Sequence, residues 1–152
     1  MAEVSLDETV LITGSTTGGS QFLVLPPARW KRCLNYDTAI GVVRFDEVWR
    51  SNAADTLKFG AYTAARVDSP GPTSQGGWAT RLGGASKQFT LADSDTGTVK
   101  RFVFSKIGGI WCDGTSLTAD FLEAFFFWDV EATKSGSGGS FRVNISYSLT
   151  FR

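Results

Sequence analysis

SFRVNISYSLTFR, residues 140–152, alternates apolar and polar side chains without a fault to its last residue. Phe141, Val143, Ile145, Tyr147, Leu149 and Phe151 fall on one side of an extended chain, and Ser140, Arg142, Asn144, Ser146, Ser148, Thr150 and Arg152 on the other. A period of two marks a β-strand with one face on a core and the other on water or a neighbour. At about 3.3 Å per residue the segment spans about 40 Å, a length that belongs in a large sheet.

Working outward, residues 121–132 form a second long strand, with Leu122, Ala124, Phe126, Trp128, Val130 and Ala132 on one face and Phe125 and Phe127 on the other. The glycine-rich residues 133–139 read as a flexible hairpin tip joining these two strands in antiparallel fashion. Residues 37–50 alternate across Val43, Phe45, Glu47 and Trp49, and residues 57–65 set Leu57, Phe59 and Ala61 against Lys58, Gly60 and Tyr62. Residues 8–14 open the sheet structure with Val10 and Ile12 opposite Leu11, and residues 21–25 form a short strand stopped by Pro26 and Pro27. Residues 88–92 and 98–105 flank a polar turn and predict a hairpin. Residues 110–113 make a further short strand. One or two helical turns are expected over residues 28–36, and the long connection 67–87 has room for a short helix. No repeat of fixed period is present, and roughly eight short strands with turn signals between them predict one all-β domain over residues 1–152, a sandwich or barrel.

Composition narrows the function. Fifteen Lys and Arg balance fifteen Asp and Glu, so net charge selects no polyanionic partner. Histidine is absent, which removes the commonest general base and zinc ligand, and the chain is expected not to be an enzyme. Cys33 and Cys112 alone make neither a disulfide framework nor a metal spacing. With no signal-peptide pattern and no apolar run of membrane-spanning length, the chain is expected to be soluble and cytosolic, with no membrane partner.

The block Gly139, Ser140, Phe141, Arg142, Val143, Asn144, Ile145, preceded by a Gly and Ser connection and an aromatic strand, resembles the carboxyl end of the coat proteins of poleroviruses and enamoviruses. Glu8, Thr9 and Val10 open the first strand as in that family. Residues 36–49 resemble its Tyr-led strand, followed by a polar turn and the strand 57–62. Trp111, Cys112 and Asp113 stand where those proteins show Trp, His, Asp, and the middle residue departs from the pattern. The resemblance spans most of residues 7–152 and is sharpest at the end. It implies an eight-stranded antiparallel jelly-roll sandwich with one or two short helices in its connections, whose subunits form an icosahedral homo-oligomer around viral single-stranded RNA. The implied location is the virion, and the host cytoplasm during assembly.

One family feature is missing, the Arg-rich amino arm that binds RNA, since no basic residue precedes Arg29. Either the arm has been removed and Met1 is a new start, or RNA is held by inner-surface charge alone. In the second case Arg29, Lys31 and Arg32, set around Trp30, are the remaining basic cluster, with the solvated face of a turn as the plainer reading. Among aromatics, Trp30, Trp49, Trp78, Phe125 and Phe127 are candidates for subunit interfaces, because both faces of the 121–132 strand carry rings. Calcium between subunits would need clustered oxygens. Asp113 and Asp120 are the candidate pair, and these, like Asp93 and Asp95, read first as turn chemistry. Asp129 and Glu131 read as the wet face of a sheet rather than a glycosidase pair. The run from Leu11 to Gly19 lacks the lysine of a phosphate loop. Two rival functions stay open, a carbohydrate-binding sandwich with Trp78, Trp111 and Tyr62 as a stacking platform, and a jelly-roll movement or silencing factor that binds RNA without enclosing it.

Overall fold

The computed structural model describes residues 4–22, 24, 31–64, 79–83, 87–112 and 123–152. Arg29, Trp30, Trp78, Asp113 and Asp120 lie outside the described residues. Nine strands run through the described chain: β1 Val4–Ser15, β2 Lys31–Arg32, β3 Thr38–Arg50, β4 Thr56–Ala64, β5 Ala79–Arg81, β6 Phe89–Leu91, β7 Val99–Ser105, β8 Phe125–Thr133 and β9 Ser140–Phe151. They form two antiparallel sheets, one ordered β1-β9-β3-β7 and the other β2-β8-β4-β5, with β6 also on β4. β5 pairs with residues 62–64 of β4 and β6 with residues 57–59, so the two are halves of one interrupted strand.

Counted that way, the first strand pairs with the last, the second with the next to last, the third with the sixth and the fourth with the fifth. This nested pairing is the jelly roll, a long antiparallel ribbon rolled until its two sheets face each other. The perfect alternation of β9 follows from its position. It is central in its sheet, paired with β1 from Ser15↔Ser140 to Val4↔Phe151 and with β3 from Arg50↔Phe141 to Ala39↔Phe151.

The core lies between the sheets and is dominated by rings. Trp128 stacks on Phe59 with centroids 5.3 Å apart, meets Phe126 edge-on at 5.0 Å, and also touches Phe102, Phe104 and Tyr147. Room for this indole comes from Gly41 on the facing sheet, where a Cβ would sit 2.5 Å from Trp128 Cζ2. A large ring opposite a missing side chain is how close-packed interiors fill space.

Four expectations change. Phe45 faces the core, but a bulge at Asp46 turns Glu47 and Trp49 outward and Val48 inward, so the 43-45-47-49 row does not share one face. One extra residue reverses strand parity. The polar turn holds the bulge: Gly97 N donates to Phe45 O at 2.6 Å and Val48 N to Thr96 Oγ1 at 3.0 Å. Second, neither expected hairpin forms, because β6 and β7 belong to different sheets, as do β8 and β9. Alternation tells which face is buried and says nothing of which strand lies alongside.

Third, the 133–139 connection is pinned rather than a free tip. Buried Thr16 donates from Oγ1 to Asp55 Oδ2 at 2.6 Å, Ser135 N donates to Asp55 Oδ1 at 2.8 Å, and Gly139 N donates to Thr16 Oγ1 at 2.8 Å. Fourth, within the expected helix 28–36, Lys31 and Arg32 are strand residues paired with Phe126 and Phe125, and Cys33 N continues the ladder to Ala124 O. The free edge of β8 offers acceptors that a helix would leave unused. A short 3₁₀ turn, Asp93–Asp95, lies between β6 and β7. Where short strands are expected over residues 21–25 and 110–113, the described residues make the single bridges Gln21↔Ala132 and Ile107↔Ile110, and residues 23, 25 and 113 lie outside the described residues.

Two substitutions probe this core. Phe126→Ala is expected to lower stability by about 3–5 kcal/mol in urea unfolding. Gly41→Val drives methyls into the Trp128 ring and is expected to cost at least about 1–3 kcal/mol and to blue-shift or broaden the Trp fluorescence of the native state. A Gly41→Val protein as stable as the parent would mean that Trp128 does not rest on residue 41.

Candidate functional site

The expected basic cluster is largely spent on acids. Lys31 Nζ lies 2.6 Å from Glu8 Oε1, and Tyr147 donates its hydroxyl to Glu8 Oε2 at 2.8 Å. Glu8 belongs to β1 and Lys31 to β2, so this pair ties the two sheets together at one side of the sandwich. The next side chain, Arg32, is exposed, with Nη2 4.0 Å from Glu123 and its guanidinium over the Phe125 ring at 5.8 Å.

Of the aromatic candidates, Trp49 is 37% exposed on the outer face of β3, beneath the Arg142 guanidinium at 4.8 Å, which itself pairs with Glu47 at 3.1 Å. Phe127 is buried and stacks on Tyr62 with the rings 6° from parallel and 5.8 Å apart. These two form a small apolar cluster with Ala64, Ala79 and half-buried Phe125, separate from the main core. The sugar-stacking platform does not assemble from its described members. Trp111 sits in the main core with Nε1 donating to Cys33 O at 2.9 Å, whereas Tyr62 belongs to the second cluster.

Asp129 and Glu131 are not a wet face. Across β4 and β8 the register sets Gly60 opposite Asp129 and Tyr62 opposite Phe127, on the side of the sheet away from the main core. Asp129 is 1% exposed; Val24 N donates to its Oδ1 at 2.7 Å, and its Oδ2 has no partner. Burial pushes its carboxyl well above the usual carboxylate range, against the Val24 and Val130 backbone N–H groups that favour the charge. Glu131 accepts from the Tyr62 hydroxyl and from Arg81 Nη1 at 3.4 Å, and burial raises it too, opposed by Lys58. Gln88 lies over Gly60 and accepts from Arg81 Nη1 at 3.3 Å. This polar cluster is built into the fold between β4, β5 and β8. Both cysteines are buried and unbridged, and burial pushes the Cys33 thiol up. Among the described residues no three metal-ligating side chains gather, and no helix is long and apolar enough to cross a membrane. Asp93 and Asp95 serve the turn, the first pairing with Arg50 at 3.0 Å and the second accepting from Ala92 N at 2.7 Å.

Two surface features stand out among the described residues. The outer face of the β1-β9-β3-β7 sheet holds a shallow trough of about 560 Å³, floored by short side chains such as Thr9, Ser146 and Ser148 and flanked by exposed Val42 and Val99. Where the edges of β6 and β7 meet, a cleft of about 210 Å³ is lined by Lys87, Gln88, Phe89, Lys100, Arg101, Phe102 and Val103. Lys100 Nζ stands 4.4 Å above the Phe89 ring. The sequence holds two Lys-Arg doublets, 31–32 and 100–101, and attention to Trp30 favoured the first. Only folding reveals that acids meet the first, while among the described residues no ion pair engages the second.

These features define an antiparallel jelly-roll domain with a sealed core and two exposed surfaces. No protein-family model matches the sequence, and no curated protein matches it. Among solved structures the chain is similar to one of infectious bursal disease virus, Gt strain, with a TM-score of 0.46 and 12% identity, covering 98% of this chain and 32% of that one.

An acid held protonated above its ordinary range makes the folded protein bind more protons than the unfolded chain, so its contribution to stability falls as pH rises from about 4 towards the folded pKa. Asp129→Asn keeps an acceptor for Val24 and removes the charging step. Its urea-unfolding free energy is expected to vary less between acidic and neutral pH, with the variant more stable than the parent at neutral pH. An unchanged pH slope would mean that Asp129 ionises in the fold as it does in water.

Proposed function

We propose that the chain is the shell domain of a viral coat protein, which assembles into an icosahedral homo-oligomer enclosing single-stranded RNA. The observation that carries this reading is the nested strand order, which gives the jelly roll that viral capsid and lectin domains and cupins use. The 139–145 block and its resemblance to polerovirus and enamovirus coat proteins favour the first of these. Against a lectin stands the burial of Tyr62 and Trp111 in separate clusters.

The mechanism is contact rather than catalysis. A closed shell needs one chain to present several surfaces for symmetric and heterologous contacts. Leu11, Val42, Trp49 and Val99 are large apolar side chains left exposed on the outer face of the β1-β9-β3-β7 sheet. Such a face supports a subunit interface, where burial of apolar and aromatic side chains supplies the association energy. The virion, and the host cytoplasm before it, is the corresponding location.

Sedimentation and negative-stain electron microscopy of the purified chain, with and without single-stranded RNA and at neutral and mildly acidic pH, are expected to show rapidly sedimenting closed particles. Monomer under every condition would defeat the reading, and glycan binding by that monomer would put a lectin in its place.

A further inference from the structure

We infer that the cleft between β6 and β7 is a binding site for the phosphate backbone of single-stranded RNA, held by Lys87, Lys100 and Arg101. This rests on the coat-protein reading for its biological setting and on the charge distribution for its chemistry. Lys31, Arg32, Arg44, Arg50, Arg81, Lys106 and Arg142 each have a carboxylate within 4.0 Å. Among the described residues, no ion pair engages the three cations of the cleft. In a chain of zero net charge, that places three unanswered positive charges around one opening.

The shape selects the ligand. A cleft of about 210 Å³ is smaller than the roughly 300–1,000 Å³ of sites that enclose a small organic molecule. It accommodates a phosphate group of a chain that continues beyond both ends. Among the described residues β7 pairs only with β3, and β6 only with β4, so the opening runs along the edges of both sheets and suits a linear polymer. Successive residues of a strand point to opposite faces. Lys100 reaches over Phe89 of the other sheet while Arg101 projects from the outer face, so cations flank the β7 edge on both sides. Gln88 adds an amide whose Nε2 donor lacks an acceptor. Asp93 and Asp95, the nearest acids in sequence, are engaged by Arg50 and the Ala92 N–H. Basic residues on strand edges also block edge-to-edge pairing, which supplies the competing account.

Fluorescence anisotropy of a labelled oligouridylate, titrated at several salt concentrations, separates the two. Each phosphate contact to a single strand contributes about 0.7 to the slope of log affinity against log salt. The triple variant K87Q/K100Q/R101Q is expected to flatten that slope by about 2 and to weaken binding most at low salt. K87R/K100R should retain the slope, and K134Q, which removes an unpaired cation elsewhere, should leave it nearly unchanged. Circular dichroism melts establish that each variant is folded.

An unchanged slope in the triple variant overturns the inference, as does equal loss in K134Q, or binding to anionic lipid vesicles with none to RNA. Normal RNA binding accompanied by new self-association of the triple variant also overturns it, in favour of edge protection. Particle formation is read separately. Shells whose RNA affinity ignores the triple change sink the cleft and leave the coat reading, whereas cleft-dependent RNA binding by a chain that never forms shells does the reverse.

Discussion

The sandwich depends on the contact of Trp128 with the bare backbone of Gly41. Trp128 projects from the middle of one sheet and Gly41 from the middle of the other, and the indole occupies the space that a side chain at position 41 would take. Around it Phe59, Phe102, Phe104, Phe126 and Tyr147 pack mostly edge to face or tilted, so the ring quadrupoles oppose one another little. The sheet separation is therefore set by one large and one absent side chain. The indole Nε1 has no hydrogen-bond partner, a cost the ring's apolar burial outweighs.

Polar groups do a different task at the margins of this core. Thr16 and Asp55 gather three connections at one end, while Glu8 joins Lys31 of one sheet to Tyr147 of the other. These bonds choose which loop meets which, a selection that apolar packing alone leaves degenerate. Asp129 is the exception, a buried carboxyl that accepts from Val24 N and keeps one oxygen unpartnered. Among the described residues, the outer face of the β1-β9-β3-β7 sheet mixes exposed Leu11, Val42, Trp49 and Val99 with polar side chains such as Thr9, Arg44, Arg142 and Ser146, and its β7 edge carries Lys100 and Arg101.

The strands were largely legible in the sequence. β9 shows the inward and outward residues that its alternation predicts, because it is paired on both edges and faces one core, whereas β8 and β4 put their expected rows on the main core but also bury Phe127, Asp129, Gly60 and Tyr62 of the opposite rows. The strand β3 was legible only as far as Phe45. Asp46 inserts one residue, and nothing local in the run from Val43 to Trp49 marks it, since the bulge is held by Thr96 and Gly97 from a distant turn. The candidate site was less legible still. Lys31 and Arg32 looked free because Glu8 and Glu123 are remote in sequence, and Lys87 meets Lys100 and Arg101 only when two sheet edges come together.

By itself the sequence determined that the chain is all β, where its long strands run, and, except in β3 beyond Phe45, which row of their side chains faces the main core, because side-chain alternation is a property of each strand alone. Tertiary structure decided the rest: that β8 and β9 part into opposite sheets, that the carboxyl of Asp129 is buried, and that Lys87, Lys100 and Arg101 gather around one cleft. Partner choice, desolvation and ion pairing depend on groups tens of residues apart, and those distances are set only when the two sheets close on Trp128.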